Sequence, residues 1–208
     1  MALIPKELAQ RVNRATRHVP AWPIYLIGAA WAGWLFWLGL TGGLGPEPIN
    51  ALERRYGEVA LQLLVAGLVV TPLRTLTGFS LLKYRRALGL TAFFYVLAHF
   101  LVWALLDLSS ASAIGREIVR RPYITIGFAG FLLLIPLAIT SNAASIRRLG
   151  AAGWRKLHKL TYPAALLGAL HYIWLVKGYP LEPFLYAVAI VGLLALRTRW
   201  TRLRTATA

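Results

Sequence analysis

Six long apolar runs decide which folds are open to this chain. A helix that crosses a bilayer needs roughly 20 largely apolar residues, and these runs lack the period-two alternation of membrane β-strands. The sequence therefore predicts an all-α integral membrane protein, a six-transmembrane-helix bundle that forms a single domain over residues 1–208. The segments between the runs have the length of loops, near residues 41–57, 74–86, 107–122 and 141–158. The predicted spans lie at about residues 22–40, 57–73, 87–106, 123–140, 158–176 and 181–196.

The composition excludes a soluble globular protein. Apolar residues make up 58% of the chain and charged residues only 14%, whereas a soluble domain has about 25% charged residues. The chain has no cysteine, which excludes a disulfide scaffold, thiolate-bound iron–sulfur clusters and covalently attached c-type haem.

The positive charges are unevenly divided between alternate loops. With six spans, one face carries 17 of the 23 Lys and Arg residues but a single acid, Glu7. Because cytoplasmic loops are rich in Lys and Arg, this face, which includes both termini, is predicted to be cytoplasmic. The net charge of +16 then reflects topology and contact with anionic membrane lipid, and no nucleic acid is needed to explain it. The opposite face carries six acids and six basic residues, Arg54, Arg55, Arg116, Arg120, Arg121 and Lys177.

Two histidines stand inside predicted spans, where an ionisable group is costly and indicates function. His99 lies 13 residues beyond Arg86, and His171 lies 12 residues beyond Lys159, so they are about 20 and 18 Å along parallel helices. Two imidazoles at one level, in the outer half of the bilayer, would face each other across a haem b and fill both axial positions. The alternative is that each histidine bonds a carbonyl or hydroxyl group of a neighbouring helix.

A third histidine lies at the inner mouth of the fifth span. His158 is 13 residues before His171, a rotation of about 220° past whole turns, so the two side chains do not share a face on a straight helix. His158 is either an interfacial histidine among basic residues or a ligand of a second haem. At the corresponding place on the third span stand Arg85 and Arg86, which are not iron ligands but are able to pair with a haem propionate.

Three segments of the chain resemble a known family. They are KYRRALGLTAFFYVLAHFLVW, RRPYITIGFAGFLLLIPLAITSN and RRLGAAGWRKLHKLTYPAALLGALHYIWLVKG. In combination they resemble the ferric-reductase-like transmembrane family, and within it the haem-binding membrane subunits of the bacterial MsrPQ methionine sulfoxide reductase system. The resemblance covers about residues 20–200.

The resemblance implies a multi-pass b-type cytochrome of the bacterial inner membrane, an electron-transfer subunit without substrate chemistry of its own. Such a subunit passes electrons from the quinone pool, or from a cytoplasmic flavin reductase, to a periplasmic molybdenum-containing reductase of the MsrP type, which repairs oxidised methionine. His99 and His171 match the family's intramembrane haem ligands, and His158 matches its third histidine, so the implied cofactors are one haem b or two. The family is also described as binding FMN, at residues that this sequence does not identify.

Two other functions stay open on the sequence. The chain could be the cytochrome b subunit of another periplasmic oxidoreductase, although the runs RPYITIG and WRKLHKLTYP favour the methionine sulfoxide reductase system. From a different class, it could be a haem-free membrane transporter or a lipid-binding bundle. The near absence of carboxylates from the spans disfavours a proton-coupled carrier, which usually needs an acidic relay.

Overall fold

The structure is a computed structural model that describes residues 4–176, 178 and 180–206, with side chains as far as Arg197. Of the basic residues counted above, Lys177 and the side chains of Arg199, Arg202 and Arg204 lie outside this description. Every regular element in the described residues is helical. The α-helices described are α1 (Lys6–His18), α2 (Trp22–Leu40), α3 (Pro48–Thr77), α4 (Arg85–Leu101), α5 (Ala111–Arg120), α6 (Pro122–Ile139), α7 (Ala143–Leu157), α8 (Thr161–Leu175) and α9 (Leu181–Ala206).

Four of the described helical segments are long and apolar enough to cross a membrane, which makes the chain a multi-pass membrane protein. One of them is composite: a 3₁₀ turn precedes α4, and a π-helical segment, Val102–Leu108, follows it. The helix α8 has 15 residues and, with the 3₁₀ turn His158–Leu160 before it, covers the predicted fifth span. The count of six spans remains a prediction. The four segments are Trp22–Leu40, Pro48–Thr77, Leu82–Leu108 and Pro122–Ile139.

The connecting segments contain more helix than the sequence predicts. The expectation of a loop over 41–57 is wrong beyond Pro48, because a proline at the first helical position is preorganised for a helix and α3 begins there. The expected loops over 107–122 and 141–158 contain α5 and α7. Both are amphipathic, so they form at the edge of the apolar bundle, where one side is polar and the other is not.

The helix α3 lies at the centre of the bundle and contributes to every apolar cluster in the described residues. Its N-terminal half packs against α2 and α4, and its C-terminal half packs against α8 and α9. Buried alanines on α8 allow the backbones to approach closely, as in other membrane bundles. The buried alanines of α8 are Ala164, Ala165 and Ala169. In contrast, α2 exposes large apolar side chains such as Leu26 and Ile27, as a helix in contact with lipid does.

Contacts between the connecting segments gather the basic loops at one end of the bundle. Asn13 of α1 donates from Nδ2 to the Gly78 carbonyl at 3.0 Å and accepts from the Ser80 amide at 2.8 Å. Arg85 at the start of α4 is close enough to His158, just before α8, to interact with it electrostatically. These contacts group the segments that the alternation of loops assigns to one face.

Candidate functional site

The structure brings the two span histidines together. His99 of α4 and His171 of α8 have ring centroids 6.2 Å apart, with the ring planes at 77° to each other. Three residues after His99 the helix passes into the π-helical segment, and single π turns in α-helices occur frequently at functional sites. The pair is therefore an interhelical site built by two helices that are far apart in the sequence.

Each ring is oriented by a backbone carbonyl of a third or fourth helix. Nδ1 of His99 lies 2.9 Å from the Glu53 carbonyl oxygen on α3, and Nδ1 of His171 lies 2.7 Å from the Tyr123 carbonyl oxygen on α6. A carbonyl oxygen only accepts, so Nδ1 of each ring carries the hydrogen, and Nε2 of the neutral imidazole keeps its lone pair. This is the arrangement in which a histidine binds a metal through Nε2 while a neighbouring group orients the ring.

A cavity of about 840 Å³ opens beside the two imidazoles. Its size is within the range of ordinary ligand pockets, about 300–1,000 Å³. One wall is a group of packed aromatic rings, Phe100, Phe128 and Phe131, in which the rings of Phe100 and Phe131 stack with centroids 5.2 Å apart. The cavity therefore offers a flat apolar ligand an aromatic surface next to two nitrogen ligands.

Charged groups also line this cavity. Two of them are arginines, Arg54 and Arg121, and four are carboxylates: Glu47, Glu53, Glu58 and Asp107. Arg121 forms an ion pair with Glu117 and donates a hydrogen bond to the Tyr123 hydroxyl at 3.0 Å. A ligand with an apolar body and a carboxylate tail could place the tail among these guanidinium groups.

The third histidine has different surroundings. The ring of His158 stacks on Trp154 at a centroid distance of 3.7 Å, and its Nε2 lies 3.2 Å from the Thr140 hydroxyl. That hydroxyl donates its single hydrogen to the Pro136 carbonyl at 2.6 Å, so Nε2 of His158 is the donor in their contact. In His158 the protonated nitrogen is thus Nε2, whereas in His99 and His171 it is Nδ1. His158 does not line the cavity beside those two histidines.

The two arginines that the sequence singles out, Arg85 and Arg86, lie at the end of the bundle that carries the basic loops. Arg85 is half-buried and is close enough to His158 and Tyr162 to interact with both electrostatically. Arg86 is exposed. The structure therefore places Arg85 near His158. Neither arginine lines the cavity beside His99 and His171.

Some residues of the site cannot be predicted from the sequence. The aromatic wall looks like ordinary core, and the carbonyls that orient the rings carry no side-chain signal. Gly57 and Gly127, which lie against the two imidazoles, give a weak signal, because a glycine inside a helix usually has a packing reason.

The fold and the site together define a class, a multi-pass helical membrane protein with two imidazoles facing a cavity between its helices. Residues 56–169 match the model of the family described as "Ferric reductase like transmembrane component". A relative from Brucella anthropi is 49% identical over 177 residues, which are 85% of this chain and 80% of the relative. Relatives from Brucella ovis and Brucella canis are 49% identical over 185 residues, 88% of this chain and 84% of theirs.

All three relatives are named protein-methionine-sulfoxide reductase heme-binding subunit MsrQ. The chain belongs to the ferric-reductase-like transmembrane family and shares the MsrQ branch of it with these relatives. The resemblance found in the three sequence segments is thereby confirmed. No solved structure matches the chain.

Proposed function

We propose that the cavity between α4 and α8 binds haem b, with Nε2 of His99 and Nε2 of His171 as its axial ligands. The observation that carries the proposal is the distance between the rings. A metal–imidazole bond is about 2 Å long and the ring radius is about 1.2 Å, so imidazoles on opposite sides of one metal have centroids about 6.4 Å apart. The separation of 6.2 Å in the structure is close to that value.

The surroundings of the pair also suit a porphyrin. The aromatic wall offers an apolar contact to the macrocycle, and the two arginines that line the cavity, Arg54 and Arg121, offer partners for propionates. Haem supplies one-electron chemistry, and filling both axial positions with imidazole favours electron transfer over oxygen binding. The chain itself orients the two nitrogens, excludes water from the apolar wall and pairs the propionates.

The proposed function is that of a membrane b-type cytochrome subunit which passes electrons across the bacterial inner membrane. The donor is the quinone pool or a cytoplasmic flavin reductase, and the acceptor is a periplasmic, molybdenum-containing catalytic subunit of the MsrP type. The names of the relatives support this assignment, and the excess of Lys and Arg on one face supports cytoplasmic termini. The proposal includes six spans in one domain, contact with membrane lipid, and no substrate chemistry on this chain.

Electron delivery to the partner tests this function. The purified chain in lipid nanodiscs is reduced with dithionite, freed of excess reductant and mixed with the MsrP-type subunit and a methionine sulfoxide substrate. Each sulfoxide takes two electrons and two protons and yields methionine and water. With the partner at a catalytic amount and oxygen excluded, we expect the α band of the reduced haem to decay fully only when sulfoxide is also present, with two haems oxidised for each sulfoxide reduced.

Other outcomes of the same experiment would contradict the proposal. A preparation without a Soret band would support a haem-free transporter or a lipid-binding bundle. A haem that stays reduced with the MsrP-type subunit, but is oxidised by a different periplasmic oxidoreductase, would assign the chain to that enzyme.

Comparing a quinol with a cytoplasmic flavin reductase as reductant identifies the donor, and measuring the flavin content of the preparation tests the FMN implied by the resemblance.

We further propose a second haem at the inner end, with His158 as a ligand and Arg85 or Arg86 beside its propionates. The support is the position of His158 at the inner mouth of the helix that carries His171, together with the proximity of Arg85. Binding through Nε2 requires the ring to turn away from the Thr140 hydroxyl, because that nitrogen is a donor in the contact described.

The haem count tests the inner site. A pyridine haemochrome assay with protein quantitation should give two haems per chain, and His158→Ala should give one while the outer haem keeps its spectrum. His18→Ala is the matched control, since His18 is exposed on α1. A native ratio of one, unchanged by His158→Ala, would leave His158 as an interfacial residue held by Thr140 and Trp154.

A further inference from the structure

His99 and His171 are held in the same way, although a different pair of helices holds each of them. His99 of α4 hydrogen-bonds to the carbonyl of Glu53, and Gly57 follows that carbonyl by four residues on α3. His171 of α8 hydrogen-bonds to the carbonyl of Tyr123, and Gly127 follows that carbonyl by four residues on α6. Four residues are about one helical turn, so each imidazole lies across one turn of its neighbour, from a carbonyl to a glycine.

The space over each glycine is filled by the imidazole itself. A Cβ atom on Gly127 would lie 2.7 Å from Nδ1 of His171 and 2.9 Å from its Cγ and Cε1. A Cβ atom on Gly57 would lie 3.2 Å from Nδ1 and 3.4 Å from Cε1 of His99. Carbon and nitrogen atoms in favourable contact are about 3.5–4.0 Å apart. A side chain at position 127 must therefore displace the ring of His171, whereas one at position 57 requires the ring of His99 to yield by a few tenths of an ångström.

We infer that Gly57 and Gly127 are positioning residues, which leave the space that allows each imidazole to reach its carbonyl and turn Nε2 toward the cavity. The inference rests on the proposed haem function and adds to it the residues that set the ligand geometry. His171 is the more tightly confined ring, because all three of its closest atoms lie within 2.9 Å of the missing Cβ. Losing an orienting partner of a metal-binding histidine typically costs about 10–100-fold in metal affinity.

The test replaces each glycine by alanine and reads the ligation state of the haem. Gly67→Ala is the matched control, because Gly67 lies on α3 like Gly57 and a Cβ atom there meets no heavy atom within 4 Å. Alanine favours a helix more than glycine does in all three variants, so a loss cannot come from helix propensity. The readouts are the low-spin signal of the oxidised haem, the reduction potential, and carbon monoxide binding to the reduced haem.

All variants are made in a His158→Ala background, which removes the proposed inner haem. We expect this parent protein and its Gly67→Ala variant to be six-coordinate, low-spin and unable to bind carbon monoxide. Gly127→Ala should lose most of the low-spin signal and bind carbon monoxide, because a displaced His171 opens an axial position. Gly57→Ala should show the same change to a smaller extent. Free imidazole should restore the low-spin signal in both variants, since it supplies the missing ligand without the steric conflict.

The outcomes separate this inference from the proposed function. A native protein without haem would overturn the function and with it the inference. A haem-loaded native protein whose Gly127→Ala and Gly57→Ala variants both keep the native spectrum and potential would overturn the inference alone. If Gly127→Ala does not give a monodisperse preparation, Gly57→Ala, with its smaller overlap, decides the result by the same readouts.

Discussion

Replacing either His99 or His171 by alanine is expected to remove the outer haem. The iron loses one of its two axial imidazoles, and the remaining ring has no partner on the opposite side of the cavity. Because losing only an outer-shell partner costs about 10–100-fold in metal affinity, losing the ligand itself should cost at least as much. The measurement is the ratio of haem to protein in the purified variants, together with the reduced-minus-oxidised spectrum.

His18→Ala provides the control for expression, extraction and purification, since His18 is exposed on α1, in the segment before the first span. It should keep the native haem content and spectrum. If His99→Ala or His171→Ala retained the full haem content with an unchanged low-spin spectrum, the assigned ligand pair would be wrong. If only one of the two variants lost its haem, the histidine replaced in the other variant would not be a ligand, and a different residue would bind the iron in its place.

The second large effect is expected from the core of the bundle. Leu68 of α3 is 1% exposed and packs with Ala165 and Ala169 of α8 and Ile190 of α9. Leu68→Ala should leave a cavity where three helices meet, and such changes cost about 2–5 kcal/mol in soluble cores. The transfer contribution is smaller in lipid, whose tails are as apolar as leucine, so we expect about 2 kcal/mol and a melting temperature lower by about 4–8 °C.

Thermal unfolding in detergent, followed by the helical signal and by the Soret band, measures this effect. Leu26→Ala is the control, because Leu26 on α2 is 60% exposed and its truncation should change the stability by less than about 0.5 kcal/mol. Since α8 carries His171, the two signals should fall together in Leu68→Ala. Equal melting temperatures for the two variants would mean that α3, α8 and α9 are not packed as described.

The sequence predicts the elements of this fold well because a bilayer leaves few alternatives. Apolar runs of sufficient length have to be helices, and the first predicted span coincides with α2. The histidine pair could also be found, because His99 and His171 are unusual in runs almost without charged residues and lie at similar depth. The structure then supplies the distance between them, which no count of residues gives.

What the sequence does not reveal depends on contacts between helices. The hydrogen bond of His99 to Glu53 involves a backbone carbonyl, which every residue has, so no residue type marks it. From the sequence, a carbonyl partner and haem ligation are alternatives for each histidine. In the structure Nδ1 of each ring meets a carbonyl while Nε2 remains for a metal, so the two interpretations are compatible.

In the proposed orientation the cavity lies in the outer half of the bundle, and this position has an energetic consequence for the cell. If the basic face is cytoplasmic, as proposed, an electron that arrives between the imidazoles has already crossed most of the insulating layer, about 20 Å of it along α4. The cell interior is electrically negative, so moving an electron outward across the full membrane releases about 2.3 kcal/mol per 100 mV. Reductive repair outside the cell membrane would thus be driven in part by the resting voltage, and would slowly discharge it.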